Sequence, residues 1–124
     1  MATIGELPAL LLTLSCEVPL VLVLAQRLPP APAHTPVPRP RWHRVLPAAI
    51  SASALSHPLA WRMAAVLAAD EYAVGLILIE LAVWLFEASW YALWLRPGTV
   101  RALQWSALAN GASFALGFLL ALRP

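Results

Sequence analysis

Four stretches of predominantly apolar residues, 7–28, 46–66, 72–95 and 102–122, occupy most of this 124-residue chain and restrict it to very few folds. Each is about 20 residues or longer, enough for a helix rising 1.5 Å per residue to cross a hydrocarbon core of roughly 30 Å. A soluble domain this short would need more surface charge than the 11% present beside 61% apolar residues. The expected fold is all-α, a single integral membrane four-helix bundle over residues 1–124. Pro8 and Pro47 fall in the first turns of spans 1 and 2, where a missing N–H is tolerated.

The connectors set the direction of the spans. Residues 29–44 (PPAPAHTPVPRPRWHR) hold six prolines and are expected to be extended and polyproline-like. The connectors around 68–71 and 96–99 are short. There is no Lys, and the Arg residues are unevenly placed. Arg27, Arg39, Arg41 and Arg44 lie in or beside the first connector, and Arg96 and Arg101 flank the third. The second carries Asp70 and Glu71 against Arg62. Positive-inside bias puts connectors one and three in the cytoplasm and both termini on the non-cytoplasmic side. Trp42, Trp90, Tyr91, Trp94 and Trp105 would mark the cytoplasmic boundary, Trp61 and Tyr72 the outer one, with Trp84 packing in mid-span. The Arg-, Ala-, Leu- and Pro-rich composition suggests a bacterial protein, hence an inner-membrane location. Without a basic segment before the first span, residues 1–28 are expected to be retained. Cys16 is the only cysteine, so neither an intramolecular disulfide nor a CxxC site can form. A net charge of +2 gives no reason to expect nucleic acid as a partner.

Against this apolar background the polar residues stand out. Glu17, Glu80 and Glu87 lie well inside spans, as do His57 and Asn110. A carboxylate at mid-bilayer costs roughly 2.5–3.5 kcal/mol even on lenient insertion scales, so each is a functional candidate. Counted from the start of each span, Glu17, His57, Glu80 and Asn110 fall within about one turn of the same depth. Glu80, Trp84, Glu87 and Tyr91 recur at i, i+4, i+7 and i+11, so both glutamates share a face. Ser53, Ser56 and His57 form a stripe on span 2, and Ser106, Asn110, Ser113 and Gly117 another on span 4. These faces are expected to converge inside the bundle. Pro19 and Pro58, beside Glu17 and His57, would kink their helices and free the carbonyls of Ser15 and Ala54. The segment Ser53-Ala-Leu-Ser-His57 echoes Ser106-Ala-Leu-Ala-Asn110, which hints at two hairpins related by pseudo-symmetry.

Burial favours the neutral form of any titratable group, which suits a proton relay. The favoured function is proton- or cation-coupled transport or conduction. Glu17, His57, Glu80, Glu87 and Asn110 would form its pathway, with Ser53, Ser106 and Ser113. The alternative is a non-catalytic accessory or assembly subunit of a larger membrane complex. Small-residue spacings such as Gly111/Ala115, Ser113/Gly117 and Gly117/Ala121 permit close helix approach, so a homo-oligomer or larger complex is expected within the lipid bilayer. An intramembrane enzyme ranks lower, since no GxSxG, HExxH or phosphate-binding glycine loop occurs. Glu17, His57 and Glu80 are the only candidates for a metal site, and no cofactor is indicated. Glu80 and Glu87, two turns apart, are separated by roughly 10.5 Å of rise and cannot readily clasp one ion.

Overall fold

In a computed structural model of the chain, the described residues are 5–27, 39–68, 70 and 72–121. They form four α-helices: α1 (Glu6–Arg27), α2 (Trp42–Ala65), α3 (Tyr72–Leu95) and α4 (Thr99–Ala121). No strand occurs among the described residues, so the fold is all-α. By length and hydropathy, α1 and α3 could each cross a membrane. On the same measure α2 and α4 fall short, being diluted by Ser, His, Asn, Gln and Arg.

Two helices begin earlier than hydropathy places them. α2 starts at Trp42 rather than 46, and α4 at Thr99 rather than 102. Hydropathy finds where the side chains become apolar, whereas a helix starts wherever the backbone is free to. After Pro40 no proline intervenes until Pro47, and Arg41 (φ −71°, ψ 144°) gives an extended entry. Trp42, His43 and Arg44 are therefore helical, which corrects the extended reading of the end of the 29–44 connector. Pro47 then lies in the second turn of α2, and the carbonyl it leaves without an N–H is that of solvent-facing His43. The polyproline-like expectation for 29–38 lies outside the described residues. Pro19 and Pro58 sit within continuous α-helix, so neither breaks its helix beside the polar residues.

Each helix packs on two neighbours in the order α1–α2–α3–α4 and back to α1, and among the described residues the backbones of diagonal pairs come no closer than 8 Å between Cα atoms. Successive helices are antiparallel. Charges match the helix dipole at both ends of α1, with Glu6 in its first turn and Arg27 in its last. At the C-terminus of α3, Arg44 Nη2 donates to the Trp94 carbonyl at 3.3 Å. The tight turn between α3 and α4 uses left-handed backbone at Arg96 (φ 50°) and Gly98 (φ 93°). A Cβ at Gly98 would meet no atom within 4 Å, so its cost would come from the dihedral alone. Gly98→Ala is accordingly expected to lower stability by about 1 kcal/mol. Thermal unfolding in detergent would measure it, and an unchanged midpoint would contradict the strained turn.

The buried apolar residues are distributed unevenly along the bundle. Val18, Val21 and Ala25 of α1 meet Val45, Ala48, Ala49 and Ala52 of α2, Tyr91 and Leu95 of α3, and Ala102, Trp105 and Ala109 of α4. Every one lies on the arginine-bearing side of the level marked by Glu17, Ser53, Glu87 and Asn110. Beyond that level only Ile79 is a buried apolar residue among those described. One half of the bundle is therefore closed by small side chains that let helices approach, and the other half is splayed. The polar residues sit at the junction.

Candidate functional site

At that junction the four helices are joined by a ring of side-chain hydrogen bonds. Glu17 on α1 accepts from Ser53 Oγ of α2 and from Ser113 Oγ of α4, both at 2.6 Å. Glu87 on α3 accepts from Ser56 Oγ of α2 at 2.8 Å and from Asn110 Nδ2 of α4 at 2.7 Å. Each glutamate thus bridges α2 and α4 from a diagonal corner. Glu17 is 2% exposed and Glu87 fully buried.

The ring has an internal two-fold logic. α2 offers donors at Ser53 and Ser56, and α4 offers them at Asn110 and Ser113, in each case three residues apart and on one helical face. The first donor of α2 serves Glu17 and the second Glu87; on α4 the order is reversed. Ser53 therefore corresponds to Asn110, and Ser56 to Ser113. The helix starts, Trp42 and Thr99, keep the same offset. The sequence echo pairs Ser53 with Ser106 and His57 with Asn110, one turn out of this register. The glutamate equivalent to Glu17 is Glu87, not Glu80.

The hydroxyl protons are outnumbered by acceptors. Ser53 Oγ also lies 3.3 Å from the Ala49 carbonyl, Ser113 Oγ 3.1 Å from that of Asn110, and Ser56 Oγ 3.5 Å from that of Ser53. A serine has one proton to donate but can accept as well. Each serine can therefore donate to its glutamate, or turn to its own helix and accept from a protonated carboxyl. The ring can hold either protonation state by rotating hydroxyls, with no helix movement.

Above the ring, on its splayed side, lies a cavity of about 120 Å³ lined by Glu17, Glu80, Glu87, His57, Asn110 and Ser113 among others. All four residues placed at matching depth by the sequence, Glu17, His57, Glu80 and Asn110, line it. Their roles differ. His57 is paired through Nδ1 with Thr13 Oγ1 at 3.3 Å, and its buried Nε2 has no partner among the described residues. His57 also stacks on Trp61, with ring centroids 6.0 Å apart. Glu80 lines the cavity but forms no hydrogen bond among the described residues, which sets it apart from the two ring glutamates. Ser106 is a brace: its Oγ donates to the Trp84 carbonyl at 2.9 Å and lies 3.2 Å from Asn110 Nδ2. Trp84 completes that α3–α4 clasp, its Nε1 donating to the Leu103 carbonyl at 2.9 Å. Trp84→Phe is expected to lose about 1 kcal/mol of stability with the ring untouched, measurable as a lower unfolding midpoint.

Below the ring the bundle is sealed. Tyr91 and Trp105, essentially unexposed, meet edge to face with centroids 6.5 Å apart. Tyr91 Oη, Trp105 Nε1, and Nε and Nη2 of the 4% exposed Arg101 have no partner among the described residues. The sequence reading puts Tyr91 and Trp105 at the cytoplasmic boundary, whereas both are buried in the bundle core, because their helix faces turn inward toward the other helices. The stripe Glu80, Trp84, Glu87, Tyr91 already points Tyr91 inward, and the i, i+4 spacing of Arg101 with Trp105 is the signal that could have placed the other two there. Thr13 lies one turn before Glu17 on α1, a spacing that places it beside the cluster.

No three His, Cys, Asp or Glu side chains among the described residues approach closely enough to hold a metal ion. The candidate set Glu17, His57 and Glu80 is not assembled, because serines hold Glu17, Thr13 pairs with His57, and Glu80 stands apart. No protein-family model, no curated protein and no solved structure matches this chain.

Proposed function

We propose that the chain is a four-span protein of the bacterial inner membrane that moves protons or cations, with the Glu17–Glu87 ring as its proton-holding element. The polarity of the bundle supports the membrane reading. Glu, Ser, Asn and Arg side chains are buried, while Leu, Val, Ile and Phe cover the outside, including Ile77, Leu93 and Leu119, each more than 60% exposed. Such continuous apolar cover is unsuited to water and suited to lipid. The arginine-bearing, closed end would face the cytoplasm, with the termini opposite.

The observation that carries the transport reading is the position of the ring. It forms the floor of a cavity and lies directly above a sealed layer, at the boundary between an open and a closed half. A proton arriving from the cavity would be taken up by Glu17 or Glu87, and the serine hydroxyls would rotate to their backbone acceptors. Release toward the cytoplasm requires the Tyr91–Trp105 layer to part. On this reading the chain is held in an outward-open state of an alternating-access cycle. In proteoliposomes holding a pH-sensitive dye, an imposed gradient should give a flux above that of empty liposomes. Glu80→Gln should reduce it with the fold intact, since Glu80 forms no hydrogen bond that Gln would break. A wild-type flux equal to that of empty liposomes refutes the transport reading.

A second reading, an accessory subunit or oligomer, rests on the splayed half. A Cβ placed on Gly111, on the outer surface of α4, meets nothing within 4 Å, so that surface has no helix against it in the monomer. A neighbouring helix from a second copy or a larger complex would fit there. Cross-linking in native membranes distinguishes the two, and an exclusively monomeric chain counts against the subunit reading.

A further inference from the structure

Glu80 lines more than the cavity. Together with Asn110 and Phe114 it also lines a groove of about 450 Å³ that runs between α3 and α4 on the outside of the bundle. The remainder of that groove is apolar, walled by Ile77, Leu81, Trp84 and Gly111. Its volume is in the range of sites for drug-sized ligands. Groove and cavity therefore meet at one carboxylate.

The polar groups at that junction are acceptors. Glu80 has no hydrogen-bond partner among the described residues. Asn110, 8% exposed, spends its Nδ2 on Glu87 and Ser106, and its Oδ1 receives no hydrogen bond among the described residues. No Arg or Lys lines either space. A ligand suited to this place brings donors and positive charge at one end and an apolar tail at the other.

We infer that the α3–α4 groove is a lateral entry site for an amphiphilic organic cation, an alkyl or arylalkyl ammonium, drawn from the bilayer with its head on Glu80 and Asn110 Oδ1. The tail occupies the groove beside Trp84, where lipid would otherwise lie. The head lies at the mouth of the cavity that leads to Glu17 and Glu87. A carboxylate that holds either an ammonium or a proton couples the movement of one to the other. The inference deepens the transport reading by naming its substrate class.

The test uses the full chain in lipid nanodiscs and an alkylamine carrying a diazirine at its tail end, followed by mapping of the photolabelled residues. Octylamine, octanol and octanoate compete, sharing one tail and differing in head charge. Label is expected on groove residues such as Ile77, Leu81 or Phe114. Octylamine should displace it at about tenfold lower concentration than octanol, the effect of one charge-assisted contact. Glu80→Gln should bring the two within about twofold. Gly111→Trp, which fills the groove while every glutamate is kept, should remove the label. Equal displacement by all three competitors would mean a groove for lipid tails alone and overturns the inference, as does label confined to other helices. Proteoliposome flux is measured separately. Charge-selective labelling without flux keeps the site and discards transport, and flux with charge-blind labelling does the reverse.

Discussion

Glu87→Gln is expected to abolish flux while leaving a folded bundle. Gln fits the same space: its carbonyl oxygen can accept from Asn110 Nδ2, and its amide can donate to Ser56 Oγ. The Ser56 hydroxyl then turns to the Ser53 carbonyl, 3.5 Å away. What is lost is titration, so transport that depends on a held proton should fall to the level of empty liposomes. Glu17→Gln should do the same, because Ser53 and Ser113 have backbone acceptors of their own. A structural role predicts a different pattern. If the glutamates only hold helices together, Gln is nearly silent and Leu is severe. Here even Leu strands no serine, so the unfolding midpoint of Glu87→Leu should move little. Normal flux in Glu87→Gln, or a collapse in stability of Glu87→Leu, would refute the proton-holding role of the ring.

Ala109→Leu is expected to disrupt the closed half. Ala109 is fully buried, in a layer with Val21, Ala49, Ala52 and Trp105, where backbones approach because the side chains are small. A larger side chain there has no space, and overpacking of this kind costs roughly 1–3 kcal/mol. The control is Ala115→Leu on the same helix in the splayed half, where the side chain is exposed. That substitution should stay within about 0.5 kcal/mol. Unfolding midpoints in detergent compare the two, and equal effects would contradict the asymmetry between halves. If Ala115→Leu lowers stability in native membranes but not in detergent, α4 is covered there by another helix, which favours the subunit reading.

Much of the architecture was legible from periodicity and length. Four helices, their antiparallel order and the inward convergence of polar faces follow from long apolar runs, short connectors and the cost of presenting Glu or Asn to an apolar surround. The i, i+3 and i, i+4 stripes likewise put Ser53 with Ser56, and Asn110 with Ser113, on single faces, because helix geometry alone determines which residues share a face. Helix starts were less legible. Trp42 and Thr99 enter helices on backbone grounds that hydropathy does not register.

Which partners meet across helices was decided by the tertiary structure. Depth counted along a span treats Glu80 as the equal of Glu17, yet Glu87 takes that place, one helix diagonal to it. α1 and α3 run parallel, so a shared lean of their side chains cancels. Counted from the arginine-bearing ends, Glu17 lies ten residues before Arg27 and Glu87 eight before Leu95. Register therefore follows the packed ends, and a count from the span starts misses it by about two turns. The division into closed and splayed halves is also tertiary. Alanines occur throughout α2 and α4, and only the mutual approach of four backbones determines which of them are buried. The sequence by itself settled that the chain would place a few polar groups inside an apolar bundle, because burial costs leave no alternative. Which of those groups complete a ring, and which is left facing a groove, depended on register between helices far apart in sequence.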